Sequence, residues 1–327
     1  MMGHRRAGLG LMVWLLLAAH PALGQRPGPS VRPAEAREAY VTTADSVKLW
    51  YRVVGRGAET VIIPAGSYHQ KKFDGLAVGR RVVLYDSRGR GASDTVPPSK
   101  VSLQHDMDDL ETIRRAVGVD SFALIAWSAL GAVYYAYVLN HPGRVTRLVQ
   151  LATLAPRKAP YWDRLKASQA ARIDSGARKR LDARIAAGEF KDREADLCRA
   201  LADLSNPATF GDPTMVRLAP DVCDHPPEWP TRYGKYVQAI LASLGDFDWR
   251  PTLDRVTIPR LVIQGDRDNF PVDGATEWVA GEPNARILVL PGVGHWPHYE
   301  RPRETLDAIN QFLKGRWPAR SRAVPRS

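Results

Sequence analysis

Three residues far apart in the 327-residue chain have the side chains needed to cut an acyl bond together: Ser128, Asp268 and His295. A serine hydroxyl is a poor nucleophile until a base takes its proton. Histidine is such a base near neutral pH, and a carboxylate can hold its tautomer and stabilise the imidazolium. Ser128 stands in Leu124-Ile125-Ala126-Trp127-Ser128-Ala129-Leu130-Gly131, where an apolar run passes straight into a helix-like stretch. A nucleophile at that corner sits on a strained turn that lifts its hydroxyl clear of the backbone. The Gly-x-Ser-x-Gly pattern of such corners is met in part, with Ala126 first, Leu130 last and Gly131 one place later. A serine that merely caps the helix is the alternative. Asp268 closes Gly265-Asp266-Arg267-Asp268, with Asp266 and Asp273 as rivals for the acid. His295 follows the flexible Gly292-Val293-Gly294, with His298 as its rival.

The elements that must position these residues are legible as short apolar runs. Val61-Ile62-Ile63, Val82–Tyr85, Phe122–Ile125, Leu148–Leu151, Leu261–Ile263 and Ile287–Leu290 read as strands buried on both faces, as in a parallel sheet covered by helices. Val47–Val54 alternates and pairs with Tyr40–Thr42 in a hairpin or meander. Helix-period stretches lie at Ser102–Val117, Leu130–Asn140 and Arg303–Leu313, so the class is α/β. The alternation stops at 156–255, where Asp163–Ile185 and Lys191–Leu204 are helix-like and Pro226–Pro230 is Pro- and Trp-rich. That insert reads as a helical cap on a core of 38–155 and 256–314.

Composition removes other classes. Hydrophobic residues make up 44% and charged residues 25%, an ordinary globular balance. Of the formal charge of +11, two units fall on Arg5 and Arg6 and five on Lys314, Arg316, Arg320, Arg322 and Arg326, leaving +4 on the body. That body has no basic stripe with interleaved aromatics, so no nucleic-acid partner is expected. Residues 1–24 combine His4-Arg5-Arg6, an apolar run Ala7–Ala19 and small residues before Gln25, the pattern of a secretory signal peptide. The run spans about 20 Å as helix, short of the ~30 Å hydrocarbon layer. Export to the periplasm or exterior is therefore expected, with no membrane span after cleavage. Residues 25–37 read as a disordered lead-in and 315–327 as a basic disordered tail. In an oxidising compartment Cys198 and Cys223 could form a disulfide, worth ~3 kcal/mol for a loop of about 26 residues, or remain two buried thiols.

With the turn Asp86-Ser87-Arg88-Gly89-Arg90-Gly91-Ala92-Ser93 and the Gly294-His295 turn added, the chain resembles the α/β-hydrolase superfamily over nearly all of residues 40–314. The order Ser128, Asp268, His295 is that of the family. The resemblance implies a mostly parallel central sheet flanked by helices, with the Asp86 turn architectural. It also implies an oxyanion hole built from the Ala129 amide and an amide of the loop after Ile63. Family members usually carry His-Gly in that loop; here it reads Pro64-Ala65-Gly66-Ser67-Tyr68, and two registers make either Ser67 or Gly66 the donor. A serine nucleophile argues against the dehalogenase and epoxide-hydrolase branches.

The cap offers the aromatics Tyr161, Trp162, Trp229, Tyr233 and Tyr236 with one carboxylate, Glu228, and Trp127 adjoins the nucleophile. The overall plan, helical cap included, looks like the proline-iminopeptidase-type aminopeptidases, whose cap acids bind a substrate ammonium. Glu228 could do so here, or be an ordinary surface glutamate. The expectation is an exported serine hydrolase of a small-molecule or short-peptide substrate, aminopeptidase or carboxylesterase, using no cofactor and no metal. A binding protein that keeps the pocket without turnover, and an interaction protein using the Arg-rich tail, are the other classes.

Overall fold

The computed structural model describes residues 36–69, 71–220, 223 and 229–326. Residues 1–24, expected to be a signal peptide, and 25–35 of the expected lead-in lie outside the described residues. Among the described residues, eight strands form one sheet: β1 (Ala36–Thr42), β2 (Lys48–Val54), β3 (Thr60–Pro64), β4 (Arg81–Tyr85), β5 (Phe122–Trp127), β6 (Val145–Leu151), β7 (Arg260–Gly265) and β8 (Ala285–Leu290). Their order across the sheet is β1-β2-β4-β3-β5-β6-β7-β8. β2 pairs antiparallel with β1 and β4, and every other neighbouring pair is parallel.

The continuous apolar runs make sense once the period of two is applied to them. Ile62, Leu124 and Leu148 join one core, while Val61, Ile63, Ala123, Ile125 and Val149 join the other, so each strand feeds both faces. The first core takes Leu110 and Ile113 from the helix Leu103–Ala116, together with most of the helix Leu130–Asn140. The second takes Ala308, Ile309 and Phe312 from Pro302–Leu313. Leu130–Asn140 is buried on every side through Val138, as a helix packed between the sheet and the helix Leu103–Ala116 must be. Ser102 caps Leu103–Ala116, its hydroxyl accepting from the His105 amide at 3.3 Å.

Among its described residues the insert holds four α-helices: Tyr161–Arg172, Ser175–Ala186, Glu194–Ser205 and Trp229–Leu244. The single stretch expected over Asp163–Ile185 is broken because Asp174 turns its carboxylate onto the Gly176 and Ala177 amides and starts a new helix. Trp229–Leu244 is a helix that the sequence reading lacks, and Tyr236, Ile240 and Leu244 bury its one apolar face. A disulfide joins Cys198, in Glu194–Ser205, to Cys223, with 5.8 Å between their Cα atoms.

The tail also departs from expectation. Instead of a disordered 315–327, residues up to Arg326 are held along β8, the last strand of the sheet. Ile287 and Arg322 exchange both backbone hydrogen bonds, the Gly281 amide donates to the Val324 carbonyl, and Trp317 packs against Phe312. The physical reason is the strand edge itself, whose unpaired N–H and C=O groups need a cover. Arg320 pairs with Glu304, so part of the positive charge is neutralised locally. Among the described residues no helix is long and apolar enough to cross a membrane.

Candidate active site

β5 ends at Trp127, and the next residue turns the chain into the helix Leu130–Asn140. Ser128 makes that turn with φ of 61°, a conformation costing about 1–3 kcal/mol for a residue with a side chain. Its amide donates to Leu151 O at 2.9 Å and its carbonyl accepts from Gly131 N at 3.0 Å, which pins the corner from both sides. The crowding falls on Gly131, where a Cβ would overlap the Thr153 side chain. Leu130 instead points into the core and is 3% exposed, so it does not obstruct the turn. The Ser128 side remains partly accessible while Ala126 and Trp127 are buried.

The three distant residues meet at the ends of β5, β7 and β8. His295 Nε2 lies 2.9 Å from Ser128 Oγ, and His295 Nδ1 lies 3.1 Å from both carboxylate oxygens of Asp268. The Asp268 side chain has no exposed surface. Gln264 Nε2 donates to its Oδ2 at 2.8 Å and the Phe270 amide to its Oδ1 at 3.0 Å, so its plane is set before the imidazole arrives. The base loop is held as firmly. The His295 amide donates to Thr209 O at 2.7 Å, its carbonyl accepts from Trp127 Nε1 at 2.9 Å, and Phe270 meets its ring edge-on. Such an array can move a proton from hydroxyl to imidazole and keep the imidazolium paired.

The rivals are occupied elsewhere. Asp266 accepts the Gly292 amide, and Asp273 forms a forked ion pair with Arg164. His298 is fully buried against His69, with 3.1 Å between the two ring nitrogens. Burial pushes the His69 imidazole down to about 3 and that of His298 well below its usual range, so both stay neutral inside an aromatic cluster.

Two expected site residues change role. The Ser67 amide does not face the hydroxyl; it donates to Asp86 Oδ1 at 3.0 Å, and Ser67 Oγ adds a second bond at 2.9 Å. Buried Asp86, whose pKa burial pushes upward, thereby organises the loop after β3, aided by the Ala92 amide. Ala65 carries φ of 63°, the left-handed conformation glycine prefers, which corresponds to the register that offers Gly66 rather than Ser67. Ala129 and Gly66 each stand at the start of a helical turn, where amides lack intrahelical acceptors. Trp127, expected to touch substrate, is 4% exposed and packs against His69, Trp296 and His298 behind the base loop. Glu228 and the Trp229 side chain lie outside the described residues. Among the described residues, no group of three or more His, Cys, Asp or Glu could hold a metal ion.

Gln264 and Thr209 are supporting residues that sequence reasoning missed. Gln264 carried a faint signal as an amide directly after the apolar run Leu261–Ile263; Thr209 had none, since its contact depends on how the segment 156–255 packs.

The family profile for the alpha/beta hydrolase fold matches residues 63–302. The chain belongs to the α/β-hydrolase family. This α/β-hydrolase is 25% identical over 281 residues to 2-hydroxy-6-oxononadienedioate/2-hydroxy-6-oxononatrienedioate hydrolase 1 of Dechloromonas aromatica, covering 82% of this chain and 91% of that one. It is 23% identical over 278 residues to a proline iminopeptidase of Heyndrickxia coagulans, covering 79% and 91%. Among solved structures, a thermophilic esterase from Thermogutta terrifontis matches with a TM-score of 0.65 at 18% identity, covering 85% of this chain and 98% of that one. Those relatives are hydrolases of different substrates, and the structural likeness is one of fold.

Proposed function

We propose that the protein is an exported serine hydrolase that cleaves an ester or amide bond of a small substrate through an acyl-enzyme. The observation that carries this reading is the chain of contacts from Ser128 Oγ through His295 to the buried Asp268 carboxylate. In the first half-reaction His295 Nε2 takes the hydroxyl proton as Ser128 Oγ bonds to the acyl carbon, and the carbonyl oxygen becomes an oxyanion. The amides of Ala129 and Gly66 are the donors assigned to that oxyanion, each worth ~3 kcal/mol of transition-state stabilisation. His295 returns the proton to the departing alcohol or amine, and water repeats the cycle on the ester left at Ser128. Asp268 holds the imidazole in the tautomer whose Nε2 can accept.

Carboxylesterase and aminopeptidase activity are the two substrate classes to separate, because relatives of both kinds share this fold. The disulfide between Cys198 and Cys223 is consistent with an oxidising compartment, where such bonds persist. A panel of p-nitrophenyl esters beside aminoacyl-naphthylamides tests the proposal. Turnover of at least one series, abolished in Ser128→Ala, is the expected result. Folded protein inert toward both would favour a ligand-binding role.

A further inference from the structure

Of the buried carboxylates outside the catalytic array, Glu300 is the one whose oxygens meet the amides beside His295. Glu300 is 4% exposed and, among the described residues, has no cationic partner; its oxygens are taken up by backbone amides. Oε1 accepts from Gly294 N at 3.0 Å and Trp296 N at 3.3 Å, and Oε2 from Gly294 N at 3.1 Å and Gly211 N at 2.9 Å. Gly294 and Trp296 are the residues on either side of His295. Gly211 belongs to the cap segment whose Thr209 carbonyl accepts the His295 amide and whose Thr209 Oγ1 accepts Trp296 Nε1 at 2.9 Å.

The backbones of these two segments are packed too closely for side chains. A Cβ on Gly211 would overlap the Gly292 carbonyl, and one on Gly294 would overlap the Thr209 carbonyl. The same cap segment reaches the acid loop, where Asn269 Nδ2 donates to Ala208 O at 3.0 Å. A charged acceptor enclosed by amide donors is favourable only while those donors stay converged on it.

We propose that Glu300 is a positioning residue for His295, clamping the amides that flank it and joining the base loop to the cap segment Thr209–Gly211. The clamp acts through the backbone: it fixes where His295 stands relative to Ser128 and makes a displacement of the cap segment a displacement of the base. This inference rests on His295 serving as the base for Ser128. Glutamine cannot reproduce the clamp, because its NH2 must face a Gly211 or Trp296 amide that also donates.

The test is the saturation kinetics of Ser128 labelling by a fluorophosphonate, compared between wild type and Glu300→Gln. A misplacement of about 1 Å typically costs ~10²-fold. The maximal labelling rate is therefore expected to fall about 100-fold, with the half-saturating probe concentration within threefold and circular dichroism unchanged. A folded Glu300→Gln protein that labels at the wild-type maximal rate overturns the inference and leaves the hydrolase reading standing. Wild type that does not label at all removes the hydrolase reading, and this inference with it. Should the variant not fold, hydrogen exchange in the wild type decides. Joint protection of the Gly211, Gly294 and Trp296 amides supports the clamp, whereas a freely exchanging Gly211 overturns it.

Discussion

Asp268→Asn is expected to lower kcat about 10⁴-fold near neutral pH on whichever ester or amide the wild type turns over, with KM changed only a few-fold. The reason lies in what surrounds the carboxylate. Gln264 Nε2 and the Phe270 amide each donate to one Asp268 oxygen, and His295 Nδ1 lies 3.1 Å from both. Asparagine offers one acceptor to these three groups and brings an NH2 of its own. An NH2 turned toward Nδ1 favours the tautomer with the proton on Nε2, which can no longer accept from Ser128. Steady-state kinetics on purified variant and wild type measure the loss. Activity within tenfold of wild type would move the orienting role away from Asp268.

Arg88→Met is expected to cost about 3–5 kcal/mol of folding stability, because it strips the guanidinium from a fully buried carboxylate. Arg88 is 1% exposed, and its guanidinium meets Asp109 at 2.7 Å and Asp45 at 2.8 Å; its amide also donates to Asp109. Asp109 has no exposed surface, and burial pushes its pKa up even with Arg88 present, so removing the arginine leaves a charge that must be protonated or hydrated. Asp45 behaves differently: the hydrogen bonds from Arg88 hold it well below the usual carboxylate range. The three residues tie the turn after β4 to the helix Leu103–Ala116 and to the β1–β2 turn. Urea unfolding measures the cost, and a loss under 1 kcal/mol would mean that the buried charge finds another partner. In Arg88→Met/Asp109→Leu much of the stability should return, since an apolar pair of similar volume avoids the desolvation penalty.

The strands were legible because burial on both faces writes itself as unbroken Val, Ile and Leu, as in Val82–Tyr85 and Leu261–Ile263. The corner at Ser128 and the turns at Asp268 and His295 were legible because strand ends with Gly nearby have few other uses. What the sequence did not disclose depends on partners far along the chain. Whether the Ser67 amide is available is decided by Asp86, nineteen residues away, and nothing in Pro64–Tyr68 announces that contact. Trp127 reads as a substrate neighbour by adjacency to Ser128, yet a strand sends successive side chains to opposite faces, and its indole goes behind the base loop. The tail from Gly315 looked disordered by composition, because composition does not reveal an uncovered edge at β8. Glu300 is the sharpest case: a lone carboxylate after Trp296-Pro297-His298-Tyr299 looks like a surface charge until backbone amides are seen to surround it.

The most direct test of the central claim is intact-mass analysis after treatment with a fluorophosphonate, with peptide mapping of the product. A single phosphonyl adduct on Ser128, formed in the wild type, absent from Ser128→Ala and at least a thousandfold slower in His295→Ala, is the predicted result. Folded wild-type protein that takes up no adduct, or carries it on another serine, would contradict the assignment of Ser128 as nucleophile.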